Sequence, residues 1–241
     1  MALYRDHAVV LRSWKLGEAD RIIAMLTHQH GKVRAVAKGV RRTRSKFGAR
    51  LEPLSHVTIQ LYRGRGDLDT ITQVETVDRF STLRDDADRF ARAEAMLEAV
   101  DQVAQDREPD RALHVMLVRA LRTLDERGSA LVVAAFFLKL LAHEGVQPQL
   151  DDCVECGRRG PFVAFDLDDG GVRCDQCRRG RPVSEAALVL MRRILGGGLA
   201  GVLEESVGPS TGEVDMLATS LLEHHLERRL RSVAVMDQTP R

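Results

Sequence analysis

Residues 32–38 read KVRAVAK, and this stretch decides how the first third of the chain folds. Small or apolar side chains occupy every second position, at Val33, Ala35 and Ala37, while Arg34, Val36 and Lys38 fall on the opposite set of positions. A period of two residues is typical of a β-strand that turns one face towards a core. The stretch therefore predicts a strand with one face of small and apolar side chains, opposite a face that carries Arg34, Val36 and Lys38.

Four more segments of the first eighty residues have the composition of strands, with many β-branched and apolar residues. They are His7–Ser13, Arg21–Thr27, Ser55–Tyr62 and Leu68–Val77. Five short strands with a longer connection after the third are typical of a small barrel of the oligonucleotide-binding (OB) type. An SH3-like barrel or an open meander gives nearly the same pattern, and periodicity alone leaves these two alternatives open.

From Ser81 onwards the apolar residues recur at helical spacing. Two stripes of this kind consist of Phe90, Ala93, Leu97, Val100 and Ala104, and of Leu113, Leu117, Leu121 and Leu124. The segment Leu131–Leu141 is apolar nearly all round, which predicts a central helix buried on several sides. Val183–Leu195 and Gly212–Leu230 predict two further helices, and Ser210 with Glu213 has capping-box spacing for the last one. The chain is thus expected to be α+β, with an OB-type β-barrel at residues 1–80 and an α-helical domain at residues 81–241.

All four cysteines lie in residues 148–182, a segment poor in apolar residues that we interpret as a module inserted into the helical domain. The pairs Cys153/Cys156 and Cys174/Cys177 are both C-x₂-C and are separated by seventeen residues. Four thiolates at this spacing are typical of a tetrahedral zinc site, and a hairpin between the pairs would bring them together. Because four cysteines leave no position for water, we expect one structural zinc ion. Four unrelated cysteines or two redox motifs are the alternatives.

The composition excludes several classes of protein. Apolar residues make up 44% and charged residues 29% of 241 residues, as in soluble chains that form a core. The longest apolar stretch, Ala130–Ala142, is interrupted by Lys139 and is too short to span a bilayer. Charged residues such as Arg5 and Asp6 stand where a signal peptide would be apolar. We therefore expect a cytoplasmic protein with reduced cysteines and no membrane partner.

Basic charge is concentrated at the start of the chain. Residues 1–80 hold 15 Lys and Arg against 8 Asp and Glu, a net charge of +7, although the whole chain has a net charge of only +1. The run from Lys32 to Leu51 contains no acidic residue. Its eight cations are Lys32, Arg34, Lys38, Arg41, Arg42, Arg44, Lys46 and Arg50. Such a run favours a polyphosphate partner, and Phe47 within it offers a ring for base stacking. A solvated loop that only maintains solubility is the alternative.

No catalytic constellation is recognisable. The glycine-rich segment Gly196–Gly201 follows a predicted helix, whereas a dinucleotide site needs a preceding strand. The motif at Gly208–Gly212 lacks the strand that a nucleophile elbow requires. The sequence thus predicts a protein that is not an enzyme, with a zinc hydrolase of unrecognised site as the less favoured alternative.

Several short motifs, together with the cysteine insert, form a pattern that extends over essentially the whole chain. They are VLRS at 10–13, GEADR at 17–21, GKVRAVAKGVRR at 31–42, RSKF at 44–47 and LEPLS at 51–55. In these features the chain resembles the bacterial RecO family of recombination mediators.

The resemblance implies a non-enzymatic role in DNA repair and homologous recombination, with the protein in the cytoplasm and associated with the nucleoid. It implies binding of single- and double-stranded DNA, annealing of complementary strands and help in loading RecA onto strands coated by single-strand-binding protein. Implied partners are RecR and the C-terminal tail of single-strand-binding protein, with RecA involved indirectly. The implied DNA contacts are Arg34, Lys38, Arg41, Arg42, Arg44, Lys46, Phe47 and Arg50. An RNA- or tRNA-binding OB protein with structural zinc remains the alternative.

Overall fold

The computed structural model describes residues 2–43, 45–129 and 131–232. The chain forms two compact units: the first takes the chain up to Glu126 together with Arg231 and Ser232, and the second is Arg127–Leu230. The division predicted after residue 80 follows the change from strands to helices. By its contacts, however, the first unit contains the barrel and the three helices that follow it.

Five strands close into a barrel in the first unit. They are β1 (Leu3–Leu16), β2 (Asp20–Thr27), β3 (Gly31–Ala37), β4 (His56–Tyr62) and β5 (Asp69–Asp78). The order around the barrel is β1-β2-β3-β5-β4, with β3 and β5 parallel and the other pairs antiparallel. Closure of the sheet confirms the OB-type barrel and excludes the open meander. It also removes the unpaired edges that an open five-stranded sheet would expose.

Alternate residues of the strands fill the barrel. The buried core consists of Ala8, Val10, Ile23, Met25, Val33, Ala35, Ala37, Phe47, Leu51, Val57, Ile59, Leu61 and Ile71. The small residues of β3 belong to this set, as their alternation predicted. A short 3₁₀ helix, Gly48–Leu51, brings Leu51 into the same core.

Three helices complete the first unit: α1 (Ser81–Asp85), α2 (Ala87–Val103) and α3 (Arg111–Arg127). Asp86 caps α2, because its carboxylate accepts hydrogen bonds from the backbone N–H groups of Asp88 and Arg89. The predicted stripe on α2 is correct from Ala93 onwards. Phe90 was expected in the stripe but is 38% exposed, since it lies in the first turn of the helix, ahead of the buried residues.

The connection between α2 and α3 lies against the start of β3. The backbone of Lys32 donates to the carbonyl of Gln105 and accepts from the N–H of Arg107. The guanidinium of Arg107 in turn bonds the buried carboxylate of Asp69 at 3.0 Å. Burial and the hydrogen bond to Asp69 raise the pKa of Tyr4, which donates to the same carboxylate. This network joins β1, β5 and the connection inside one unit.

The second unit is mostly helical, with one small sheet. Its helices are α4 (Leu131–His143), α5 (Glu185–Leu195), α6 (Leu199–Val202) and α7 (Pro209–His225). Its strands are β6 (Phe162–Asp166), β7 (Gly171–Cys174) and β8 (Arg181–Pro182), paired in the order β7-β6-β8. Helix α4 packs against both α5 and α7 and is buried on nearly every side, as its composition predicted. None of the helices in the described part of the chain is long and apolar enough to cross a membrane.

The predicted capping box of the last helix is wrong. Helix α7 begins at Pro209, and the hydroxyl of Thr211 accepts a hydrogen bond from the backbone N–H of Gly208. Glu213 instead accepts from the backbone and the hydroxyl of Ser184, the residue that caps α5. The carboxylate of Glu213 therefore fixes the start of a different helix from the one predicted.

Candidate nucleic-acid interface and metal centre

Residues 38–50, which we call the basic loop, follow β3 and include the first residues of the 3₁₀ helix Gly48–Leu51 that precedes β4. The loop is held against the β1–β2 hairpin by hydrogen bonds at its first turn. Arg41 donates from its backbone N–H to the carbonyl of Ala19 at 3.0 Å, and its guanidinium bonds the carbonyl of Glu18 at 2.9 Å. The backbone N–H of Gly39, a residue with φ of +67°, donates to the carboxylate of Asp20 at 2.7 Å. These bonds fix the first turn of the basic loop, residues 39–41, against the hairpin.

Four of the predicted contact residues present free positive charge. Lys38, Arg41, Arg42 and Lys46 are all exposed. Within the part of the chain that the structure describes, none of the four forms an ion pair with a carboxylate. Arg41 and Lys46 bond only to backbone carbonyl groups through their side chains, which leaves the cationic charge uncompensated. Arg44 was also predicted to contact DNA, but it lies outside the described residues.

Two other predicted contacts have different surroundings. Arg34 on β3 is paired with Asp106 at 3.1 Å, and both side chains are about half exposed (42% and 52%). Arg50 is half-buried and folds back on the basic loop, where its guanidinium bonds the carbonyl of Lys46 at 3.1 Å. The charge of Arg34 is therefore compensated by Asp106, whereas Arg50 keeps its charge but is less accessible than the exposed four.

The stacking role predicted for Phe47 is not available in this structure. The ring of Phe47 is 1% exposed and belongs to the barrel core. Its partner on the surface is Lys46, whose ammonium nitrogen lies 4.9 Å from the ring centroid. Because a base cannot reach a buried ring, the role of Phe47 is to anchor the basic loop.

The outer face of β1 contributes two residues that the sequence interpretation did not assign. Arg12 and Trp14 are both exposed, and the guanidinium carbon of Arg12 lies 5.6 Å from the centroid of the indole. Simple alternation from Val10 would have directed both side chains into the barrel. A bulge between Val10 and Arg12 turns them outwards instead, and no local signal in the sequence marks it.

The four cysteines converge in the second unit. Cys153 and Cys156 lie on the turn before β6, Cys174 ends β7 and Cys177 follows it. Their sulfur atoms all lie within 4.8 Å of one another, and the Cys156 and Cys174 sulfurs are 3.7 Å apart. A tetrahedron with Zn–S bonds of ~2.3 Å has an S···S edge of ~3.8 Å. Gly157, with φ of +71°, closes the first turn by donating to the Cys153 carbonyl at 2.8 Å.

The electrostatics of the cluster favour a bound cation. Burial alone would raise the pKa of Cys153, but backbone N–H donors, led by that of Cys174, outweigh it and lower the pKa to about 6. A hydrogen bond with Cys156, followed by burial, raises the pKa of Cys177 to about 12. The thiolate form is thus favoured at Cys153 and disfavoured at Cys177. A divalent cation bound by all four sulfurs would stabilise every one of them as a thiolate, and a donor set of four sulfurs fits zinc.

A buried arginine holds the turn of the first cysteine pair through hydrogen bonds. Arg173, 3% exposed, donates to Asp166 at 2.8 Å and to Glu155 at 2.8 Å, and it also bonds Asp169. Glu155 lies between the two cysteines of the first pair. Its carboxylate therefore ties that turn to the β6–β7 hairpin, and these carboxylates raise the pKa of Arg173 above its ordinary value.

Two family models match the chain. The model described as Recombination protein O N terminal matches residues 1–80, and the one described as Recombination protein O C terminal matches residues 84–234. The chain belongs to the RecO family. Its role accordingly lies in recombination and DNA repair, and the resemblance inferred from the sequence motifs is confirmed.

The two candidate sites of this RecO chain lie in different units. The basic loop belongs to the barrel that matches the N-terminal family model, whereas the cysteine cluster belongs to the part that matches the C-terminal one. Every predicted cysteine ligand is brought together. Among the described basic contacts, four are exposed cations, Arg34 is ion-paired and Arg50 is half-buried. Among the described residues, the four cysteines thus form a compact candidate metal centre, and fewer of the predicted basic contacts are exposed than the sequence indicated.

Proposed function

We propose that this RecO-family chain is a non-enzymatic recombination mediator that binds single- and double-stranded DNA through the basic loop. In this role it anneals complementary strands and helps load RecA onto strands coated by single-strand-binding protein. RecR and the C-terminal tail of single-strand-binding protein are its proposed partners, and RecA is reached indirectly. We place this activity in the cytoplasm, at the nucleoid, where the DNA substrate is.

The observation that carries this proposal is the group of exposed, uncompensated cations on the basic loop. Side chains already paired with carboxylates gain little from a phosphate, because the existing ion pair must be broken first. Lys38, Arg41, Arg42 and Lys46 have no such cost among the described residues. Each phosphate that they neutralise releases condensed counterions, which favours binding without regard to base sequence. An annealing protein needs that indifference to sequence.

The metal centre is proposed to be structural and to hold one zinc ion. Cys153, Cys156, Cys174 and Cys177 would supply all four ligands, which leaves no position for a water molecule. When bound, zinc would supply cohesion between the two cysteine turns. The Arg173 network then orients the first turn through Glu155.

Strand annealing is the direct test of the proposed function. Complementary labelled oligonucleotides are mixed with the protein, first bare and then coated with single-strand-binding protein. We expect faster annealing in both cases, because a mediator must act on coated strands. Acceleration of neither reaction, in a preparation shown to be folded, would contradict the proposal.

The basic loop is tested by the double variant Arg41→Ala/Arg42→Ala. We expect weaker binding to DNA of any sequence, by about tenfold or more, and a shallower dependence of affinity on salt. The matched control is Arg228→Ala/Arg229→Ala, which removes two adjacent exposed arginines from the other unit. Equal losses in both variants would mean that total charge, and not the basic loop, determines binding.

A further inference from the structure

The outer face of β1, β2 and β3 carries an apolar row that leads to Trp14. The strand register places Trp14 opposite Ile22 and Ile22 opposite Val36, so the three residues form one line across three strands. This line extends roughly 10 Å across the sheet at the usual strand spacing. Trp14 is 38% exposed, and Ile22 and Val36 are half-buried.

The β-bulge between Val10 and Arg12 is what places the indole on this face. Val10 lies in the barrel core, and an unbroken strand would put Arg12 and Trp14 on the same inner side. One extra residue in β1 reverses the orientation for the rest of the strand. Burial of the indole would be the ordinary outcome for the largest apolar side chain of a strand. Here the backbone departs from regular pairing, and the ring is presented to solvent.

One cation lies over the exposed ring. The guanidinium carbon of Arg12 lies 5.6 Å from the indole centroid, and the Arg12 side chain is 61% exposed. Its only ion pair among the described residues is a contact with Asp101 at 4.0 Å, the limit of such contacts. Beyond Trp14, the β1–β2 hairpin is bonded to Arg41 of the basic loop. Trp14 and the exposed cations that we propose to bind phosphates are thus carried by elements that meet at the β1–β2 hairpin.

We propose that Trp14 is the base-stacking residue of this interface and that it takes an unpaired base from a single strand held by the basic loop. This inference rests on the proposed function and adds a preference for single strands. An indole stacks on any base, which suits a site that must not read sequence. In a duplex the base faces are covered by their neighbours, so the indole can contribute to binding only when the strand is single.

Intrinsic fluorescence tests this assignment on the unmodified protein, because Trp14 is the only tryptophan of the chain. The probe is an oligothymidylate of about 15 nucleotides, compared with an abasic strand of the same length and charge and with a duplex. Binding of each is followed separately by the anisotropy of a label on the DNA. We expect the oligothymidylate to quench the tryptophan fluorescence and the abasic strand and the duplex to leave it nearly unchanged.

The outcomes separate this inference from the proposed function. Saturating binding of oligothymidylate by anisotropy with unchanged tryptophan fluorescence would overturn the stacking role and leave DNA binding intact. Equal quenching by the abasic strand would overturn it as well, because a phosphate near the ring would then be the cause. No anisotropy change with any of the three probes at low salt would overturn both proposals.

Variants give an independent measurement. Trp14→Ala should lower the affinity for oligothymidylate by about tenfold and leave the salt dependence unchanged, because no charge is removed. Trp14→Phe should retain part of the affinity. The control is Tyr62→Ala, which removes an aromatic ring of similar exposure (37%) from β4, outside the β1–β3 face. A loss of affinity in Tyr62→Ala equal to that in Trp14→Ala would overturn the assignment.

Discussion

At the scale of single residues, the first unit contains two histidines in an apolar setting. His56 and His114 are 7% and 4% exposed, and neither ring nitrogen of either residue has a hydrogen-bond partner among the described residues. Their rings lie 5.9 Å apart, centroid to centroid. Burial, and after it the charge of neighbouring histidines, lowers the pKa of both rings to about 4. Both are therefore neutral at physiological pH, and burial costs less in that form.

This burial predicts a dependence of stability on pH. In the unfolded chain both rings titrate near the ordinary value of 6.5, so below that pH the unfolded state binds more protons than the folded state. The contribution of the two rings to stability should be constant above about pH 6.5 and should fall as the pH is lowered to about 4, by on the order of 1–3 kcal/mol for each ring.

Denaturant unfolding at a series of pH values measures this effect. Asp6 and Asp78 act on the two rings in the opposite direction, and His7, His28 and Arg122 act in the same direction as burial. The control is His143→Gln, which changes an exposed histidine of the second unit. His56→Phe/His114→Leu should flatten the pH profile, and an unchanged slope in that variant would contradict the explanation.

Gly31 is a second residue whose environment determines its identity. Its φ is +68°, and a side-chain Cβ there would lie 2.1 Å from the backbone oxygen of Glu108. Gly31→Ala should therefore destabilise the protein by about 1–3 kcal/mol, as measured by denaturant unfolding. Gly66→Ala is the matched control, since a Cβ at Gly66 meets nothing within 4 Å. Similar unfolding midpoints in the two variants would show that the backbone of Glu108 can move to make room for a side chain at Gly31.

At the scale of elements, the β6–β7 hairpin depends on contacts outside regular secondary structure. It has strands of five and four residues, and a sheet this small is marginal without further support. That support comes from the four cysteines at its ends and from Arg173 in its interior. The metal centre should accordingly contribute to the folding of residues 148–182, since metal binding and folding are coupled in such modules.

Removal of the metal tests this dependence. Treatment with a strong chelator, or the variant Cys174→Ser, should release about one zinc ion and make residues 148–182 sensitive to protease. Binding of DNA by the basic loop should persist, because the loop and the cysteines belong to different units. Unchanged protease resistance after complete loss of metal would show that the hairpin is stable without it.

At the scale of the whole molecule, charge is segregated along the chain. The net charge of +1 conceals a basic first third and an acidic remainder. The salt dependence of DNA binding follows the number of phosphates neutralised at the binding site. It should therefore be determined by the exposed cations of the basic loop and not by the net charge of the chain.

This segregation predicts a numerical salt dependence. The four exposed cations among the described residues of the basic loop, at about 0.7 counterions released per phosphate on single strands, give a slope of about −3 for the logarithm of affinity against the logarithm of salt concentration. Titrations of a labelled single strand at several salt concentrations measure this slope. A slope near zero would exclude phosphate contacts by the basic loop.

Patterns confined to one segment were predictable from the sequence. The alternation in KVRAVAK predicted β3, and the apolar composition of Leu131–Leu141 predicted a buried helix. The two C-x₂-C pairs predicted that the four cysteines cluster, and their sulfur atoms lie within 4.8 Å of one another. Each depends on the geometry of a short piece of backbone. That is why the order of elements and the clustering of the four cysteines could be predicted without knowledge of tertiary contacts.

Only the tertiary structure decided which residues of those patterns face solvent. Phe47 fills the barrel instead of offering a ring to DNA, and Arg34 is paired with Asp106, far along the chain. The bulge in β1 turns Trp14 outwards, although alternation would have buried it. Each outcome depends on contacts with residues distant in sequence or on a local break in regular pairing. Long-range contacts and a β-bulge leave no periodic signal in the sequence, because the free energy that favours them comes from packing of the assembled unit.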